Sequence, residues 1–233
     1  DTPRQTDTPR QTDTPRQTDT PLQTDTRLQT DTSPEIERAV AWLASQQRDN
    51  GAFGDDERDI TPTALATLAL LSAGHEPDLG RHGLVLRRAV DYLQRVGRRG
   101  ATNPRQRALL LLAIIEATGL EPDAARRERQ VQALRPLADD IARDADAPDA
   151  DDWTRLAAGA CRSVGLHAGA ATTTPVLDEA AQRRLFGNPA PRPRDDGGWP
   201  AGRDDQRTSR VVTTSLALLQ LTLPARHLPS LAR

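Results

Sequence analysis

The chain has 233 residues and a formal charge of −2, with 31 basic and 33 acidic side chains, and every basic one is an arginine. Residues 1–32 hold six Asp and four Arg, which leaves 33–233 balanced at 27 acids and 27 arginines; with no basic excess to displace counterions and few rings for bases to stack on, a nucleic-acid partner is excluded. A single cysteine, Cys161, rules out an intramolecular disulfide framework and a four-cysteine zinc site, and the longest apolar run, 108–115, falls far short of the roughly 20 residues of a membrane-spanning helix.

Residues 1–30 are five copies of a hexapeptide, three of them Asp-Thr-Pro-Arg-Gln-Thr, whose only large apolar residues are Leu22 and Leu28. Burial cannot offset the entropy of ordering such a segment, so 1–32 reads as a disordered, partly polyproline tail. It shows no basic-then-apolar signal pattern, and nothing in the chain specifies a compartment. Residues 33–233 read as one repeat domain.

The first helix of that domain starts at Ser33-Pro34, and its Ile36, Ala39, Val40 and Leu43 fall at i, i+3, i+4 and i+7, the stripe of a helix packed on one side. After a loop over 49–59, Thr61-Pro62 predicts an N-cap and first-turn proline for a more apolar helix over 63–73, closed by Gly74. The pattern then repeats. Arg38-Ala-Val-Ala-Trp-Leu43 returns as Arg88-Ala-Val-Asp-Tyr-Leu93, and Gly74-His-Glu-Pro-Asp78 returns as Gly119-Leu-Glu-Pro-Asp123. Asn103-Pro104 opens the second apolar helix. A third unit has a stripe of Val131, Leu134, Leu137 and Ile141, which Pro136 is expected to kink or restart, and a partner helix over 153–164 before Gly165. The fourth has helices over 176–186 and 211–223 around a Pro/Gly/Asp-rich loop, 188–208. Alternating half-buried and fully buried helices imply about four hairpins in two layers, an all-α fold.

Gln46-Gln47-Arg-Asp-Asn-Gly51-Ala-Phe53 resembles the glutamine-to-tryptophan repeat of squalene and hopene cyclases, with Phe53 in place of tryptophan. Asp196-Gly-Gly-Trp199 is similar to the end of the same motif, with Pro193 where the glutamine belongs. The resemblance is to the terpene cyclase and protein prenyltransferase superfamily; it covers about 33–228 and implies an α/α toroid or partial toroid. Read from the residues alone, Gln47 can bond loop backbone, Gly51 can relieve a turn, and Phe53 and Trp199 are packing residues or the wall of a pocket.

Asp149-Ala150-Asp151-Asp152 matches the Asp-x-Asp-Asp motif with which class II terpene cyclases protonate an alkene; by that resemblance Asp151 is the proton donor, flanked by Asp149 and Asp152. The chemistry also needs a cavity walled by aromatic rings, and the chain has six aromatic residues, four of them assigned to repeat packing. A solvated helix start is the plainer reading of this Asp-rich run. Cys161 with His167 is the one nearby pair for a prenyltransferase-like zinc site, but Cys161 fits a small core residue on an apolar helix. His75 and His227 follow helix ends, and the acids Asp55, Asp56, Glu57, Asp59, Asp204 and Asp205 lack the alternation of a calcium loop. No cofactor is implied. The residues favour a binding module for a protein or apolar ligand over an enzyme, the alternative being part of a squalene-hopene type cyclase that works with a second domain.

Overall fold

The computed structural model describes residues 33–56, 59–97, 103–166, 184–185, 192–201 and 207–222, all within the Ser33–Arg233 unit. Among these residues are seven α-helices and no strand: α1 (Pro34–Ser45), α2 (Thr61–Ser72), α3 (Gly83–Gly97), α4 (Pro104–Gly119), α5 (Ala124–Ala145), α6 (Asp152–Ser163) and α7 (Arg207–Thr222). The tail at 1–32, the expected helix over 176–186 apart from Arg184 and Leu185, and His167, Glu57, Asp204, Asp205 and His227 lie outside the described residues.

Short-range chemistry sets most helix ends. The Ser33 hydroxyl accepts from the Glu35 N–H ahead of Pro34, and Asn103 Oδ1 accepts from the Gln106 N–H at 2.8 Å ahead of Pro104. Both α2 and α6 end in a Schellman turn: His75 N–H bonds Leu70 O and Gly74 N–H bonds Leu71 O, while Leu166 and Gly165 N–H bond Cys161 O and Arg162 O. Gly74 and Gly165 carry φ of 85° and 72°, the left-handed conformation that favours glycine there.

Three local expectations differ from the structure. Thr61 is the first helical residue of α2, not its cap; Ile60 holds the cap position, and the Asp59 carboxylate accepts the Thr61 N–H at 3.0 Å. Pro136 lies inside α5, which continues through it as one helix, so the helix does not restart there. Pro136 and Gln132 are both exposed, so water can satisfy the carbonyl that proline leaves without a donor. Finally, α7 begins at Arg207, inside the expected loop.

The helices form two rows. α2, α4, α6 and α7 pack side by side in the order α7, α2, α4, α6, while α3 lies against α2 and α4, α5 against α4 and α6, and α1 against α7. Every residue of α2 from Pro62 to Ser72 and of α4 from Ala108 to Thr118 is buried, whereas α1 buries only Ala39, Val40, Trp42 and Leu43. A fully buried leucine contributes about 1.5–3 kcal/mol, so the apolar runs of α2 and α4 make the middle of the inner row the most stabilising part of the fold. The last described helix packs back on the first hairpin: Ser72 and Thr222 hydroxyls, one on α2 and one on α7, lie 2.7 Å apart in the core.

Candidate functional site

The loop between α1 and α2 is a tight turn that docks on the next outer helix. Arg48 N–H bonds Ala52 O, Gly51 N–H bonds Arg48 O, and Asn50 Oδ1 accepts from the Ala52 N–H at 3.0 Å. Gln47 Nε2 donates to Gly51 O at 3.2 Å and to Val85 O of α3 at 2.8 Å, tying the loop to the second unit. Phe53 is fully buried, and its N–H donates to Thr63 Oγ1 of α2 at 3.0 Å.

The fourth unit repeats the backbone and Asx bonds of this turn, without the Gln47 contacts, since Pro193 stands at that position. Arg194 N–H bonds Gly198 O, Gly197 N–H bonds Arg194 O, Asp196 Oδ1 accepts from the Gly198 N–H at 3.0 Å, and the Trp199 N–H donates to Thr214 Oγ1 of α7 at 2.9 Å. Trp199 is buried, and its indole Nε1 has no hydrogen-bond partner among the described residues. Arg210 pairs with Asp196 at 2.8 Å and stacks over the Trp42 ring at 4.7 Å, holding the turn against α1. That hydrogen bond from Arg210 pulls the Asp196 carboxyl below its usual range. The two copies read Arg-Asp-Asn-Gly-Ala-Phe and Arg-Asp-Asp-Gly-Gly-Trp, a longer match than the shared Gly-x-aromatic ending.

The acid motif folds as a helix start. Asp151 is the N-cap of α6 and is exposed; its carboxylate accepts from the Thr154 N–H at 3.0 Å and the Thr154 hydroxyl at 3.1 Å. Asp149 is exposed as well, and Asp152 pairs with Arg184 at 2.8 Å. Protonating an alkene requires a carboxyl held neutral in a dry cavity, and a solvated cap that accepts two hydrogen bonds is the opposite environment. Cys161 is buried on α6, and burial pushes its thiol up to about 12, so it is a thiol packed in the core. Its pairing with His167 falls outside the described residues. No cluster of three or more metal-binding side chains occurs among the described residues.

Charged groups do converge elsewhere. A cleft of about 290 Å³ lies between the turn that joins α2 to α3 and the turn that joins α4 to α5, which are the two Gly-x-Glu-Pro-Asp repeats. Glu121, 7 % exposed at its side chain, faces Arg126 Nε at 3.5 Å and Arg87 at 3.9 Å. Arg87 donates to Asp78 through Nε and NH2, and this bond depresses the Asp78 carboxyl. Gln130 Oε1, one turn beyond Arg126 on α5, is shielded from solvent and has no hydrogen-bond partner among the described residues. Asp78 itself sits at φ 66°, the one left-handed non-glycine residue among those described. The sequence reading did not single out Glu121, Arg126 or Gln130; the available signal was the repeated Glu-Pro-Asp, which marks two turns at the same end of successive hairpins.

No known protein family, curated protein or solved structure matches this chain.

Proposed function

We propose that residues 33–233 form an α/α-toroid-type repeat module, akin to the squalene cyclase and prenyltransferase scaffold, that works by binding a ligand or partner rather than by cyclising a terpenoid. The toroid reading draws on the repeated joint: α7 meets α1 and α2 as α2 meets α3 and α4, and the Gly197 turn rests on α1 as the Gly51 turn rests on α3. The observation that carries the functional reading is where the polar groups lie. They gather in the cleft between two inter-unit turns, whereas Asp151 is a solvated helix cap.

Pockets for small ligands are typically concave, largely apolar, and fitted with a few placed polar groups. Val90, Ala117 and Leu120 supply apolar wall here, and Arg87, Glu121 and Gln130 the polar groups. The test incubates the purified chain with squalene and with a linear diterpenoid diphosphate, followed by gas chromatography and mass spectrometry. No cyclic product is expected. Cyclic product that vanishes on Asp151→Asn overturns the binding-module reading in favour of a cyclase.

A further inference from the structure

The cleft has a chemical bias that its shape alone does not reveal. Three carboxylates line it, Glu76, Asp78 and Glu121, against two guanidinium groups, Arg87 and Arg126. Arg87 is committed to Asp78 by two hydrogen bonds. Arg126 reaches Glu121 only at 3.5 Å and is 48 % exposed at its side chain. Glu121 Oε1 accepts from the Asp123 N–H at 3.3 Å, while Oε2 has ion pairs at 3.5 and 3.9 Å but no hydrogen bond among the described residues. Gln130 Oε1 is a second acceptor without a donor.

The backbone adds to this bias. The carboxyl-terminal turn of α4, with Ala117 and Thr118, borders the cleft and presents the negative end of its dipole. The positive end of α5 is already answered by Asp123, whose Oδ1 accepts from the Ala125 and Arg126 N–H groups. The unfilled capacity of the site is therefore for hydrogen-bond donors carrying positive charge, beside apolar surface from Leu79, Val90 and Leu120.

We propose that this cleft binds a small organic cation, a guanidinium or primary ammonium on a short apolar stem, with the head group at Glu121 Oε2, the Gln130 carboxamide turning out of its shielded position to meet it, and the stem against Leu79, Val90 and Leu120. The assignment rests on the binding-module reading and names its ligand class. Its size suits a small ligand, since about 290 Å³ falls just below the roughly 300–1,000 Å³ of drug-sized ligand pockets. The ligand replaces the distant, half-exposed Arg126 as the partner of Glu121 Oε2.

The experiment is calorimetric titration of the full chain with butylguanidinium and butylammonium, with butyrate as the anionic control. The cations are expected to bind at one site and butyrate not at all. Glu121→Gln, which keeps shape and removes charge, should weaken cation binding about tenfold or more, the loss of one charge-assisted contact of about 1.5–3 kcal/mol. Arg126→Ala should strengthen it severalfold by removing the competitor, whereas at an anion site the same change weakens binding. Gln130→Leu provides a variant that leaves the ion pairs intact and should also weaken it, with circular dichroism and melting curves showing each variant folded. N-acetylarginine amide separates the sources: binding tighter than butylguanidinium points to an arginine presented by a peptide, equal or weaker binding to a free small cation. Butyrate binding alone overturns the cation assignment while leaving a binding module in place, and absence of binding by every probe overturns the site, leaving the cleft to water. Failure of the binding-module reading itself shows separately, as cyclic terpenoid product.

Discussion

Gly197 lies directly against the main-chain carbonyl of Arg38: a Cβ at 197 would stand 2.6 Å from Arg38 O, and at the matching joint a Cβ at Gly51 would stand 2.3 Å from Arg88 O. Arg38 and Arg88 open the two copies of the repeated Arg-Ala-Val stretch, so the same backbone approach joins the first unit to the second and the fourth to the first. Gly51 and Gly197 also have positive φ, 94° and 92°.

Gly51→Ala and Gly197→Ala should therefore each destabilise the domain by about 2 kcal/mol or more, since a left-handed Cβ costs roughly 1–2 kcal/mol before any clash with backbone that cannot swing away. Urea unfolding followed by circular dichroism measures this. A midpoint unchanged in either variant means that the turn does not hold its joint.

Trp199→Ala should cost about 3–5 kcal/mol, as expected for a buried indole, and loosen α7 from α1 and α2. Trp199→Phe should recover most of that loss because the indole Nε1 makes no hydrogen bond among the described residues. Equal damage from both substitutions points instead to a required N–H donor, and so to a ligand at this position.

Thr63→Val and Thr214→Val keep volume but strip the acceptors of the buried Phe53 and Trp199 N–H groups. Each should cost about 1–3 kcal/mol, the penalty for leaving a buried donor unmade. Thr63→Ser and Thr214→Ser, which keep the hydroxyl, should be milder in the same denaturation assay.

Asp151→Ala should cost about 1 kcal/mol through loss of a helix cap, and Asp151→Asn, also a good cap, should be close to neutral. Thermal unfolding of both variants separates a cap from a charge-dependent role, because the latter makes asparagine as harmful as alanine.

Asp196 has a folded-state pKa below its ordinary 3.8 because Arg210 hydrogen-bonds the carboxylate. Its contribution is therefore full above the unfolded value and disappears as pH falls through the folded one. The stability gap between the native chain and Asp196→Asn should accordingly shrink as pH falls through and below the ordinary value of 3.8. Paired urea titrations across that window check the sign, and a gap that stays constant with pH would rule out the charged pair as its source.

Much of the fold was legible because the signals are local. Ser33-Pro34 and Asn103-Pro104 start helices through bonds that span two or three residues, Gly74 and Gly165 stop them through bonds of similar reach, and the stripe of α1 follows from helical period alone. The repeat showed that such hairpins recur, and recurrence of buried and half-buried helices implies two rows. Tertiary structure decided the rest, since it depends on which distant surfaces meet. Asp59, not Thr61, serves the start of α2, and the same carboxylate also accepts from Gln106 across 47 residues. Asp151 matches an acid motif in sequence, but its role follows from exposure at the start of α6. Glu121 and Gln130 acquire meaning only where two turns, separated along the chain by a whole hairpin, close a cleft that gathers carboxylates and guanidinium groups and leaves Gln130 Oε1 without a donor among the described residues. Side-chain period and capping are written within a few neighbouring residues, whereas exposure, the joints between hairpins and the charge of a cleft are sums over partners that only packing brings together.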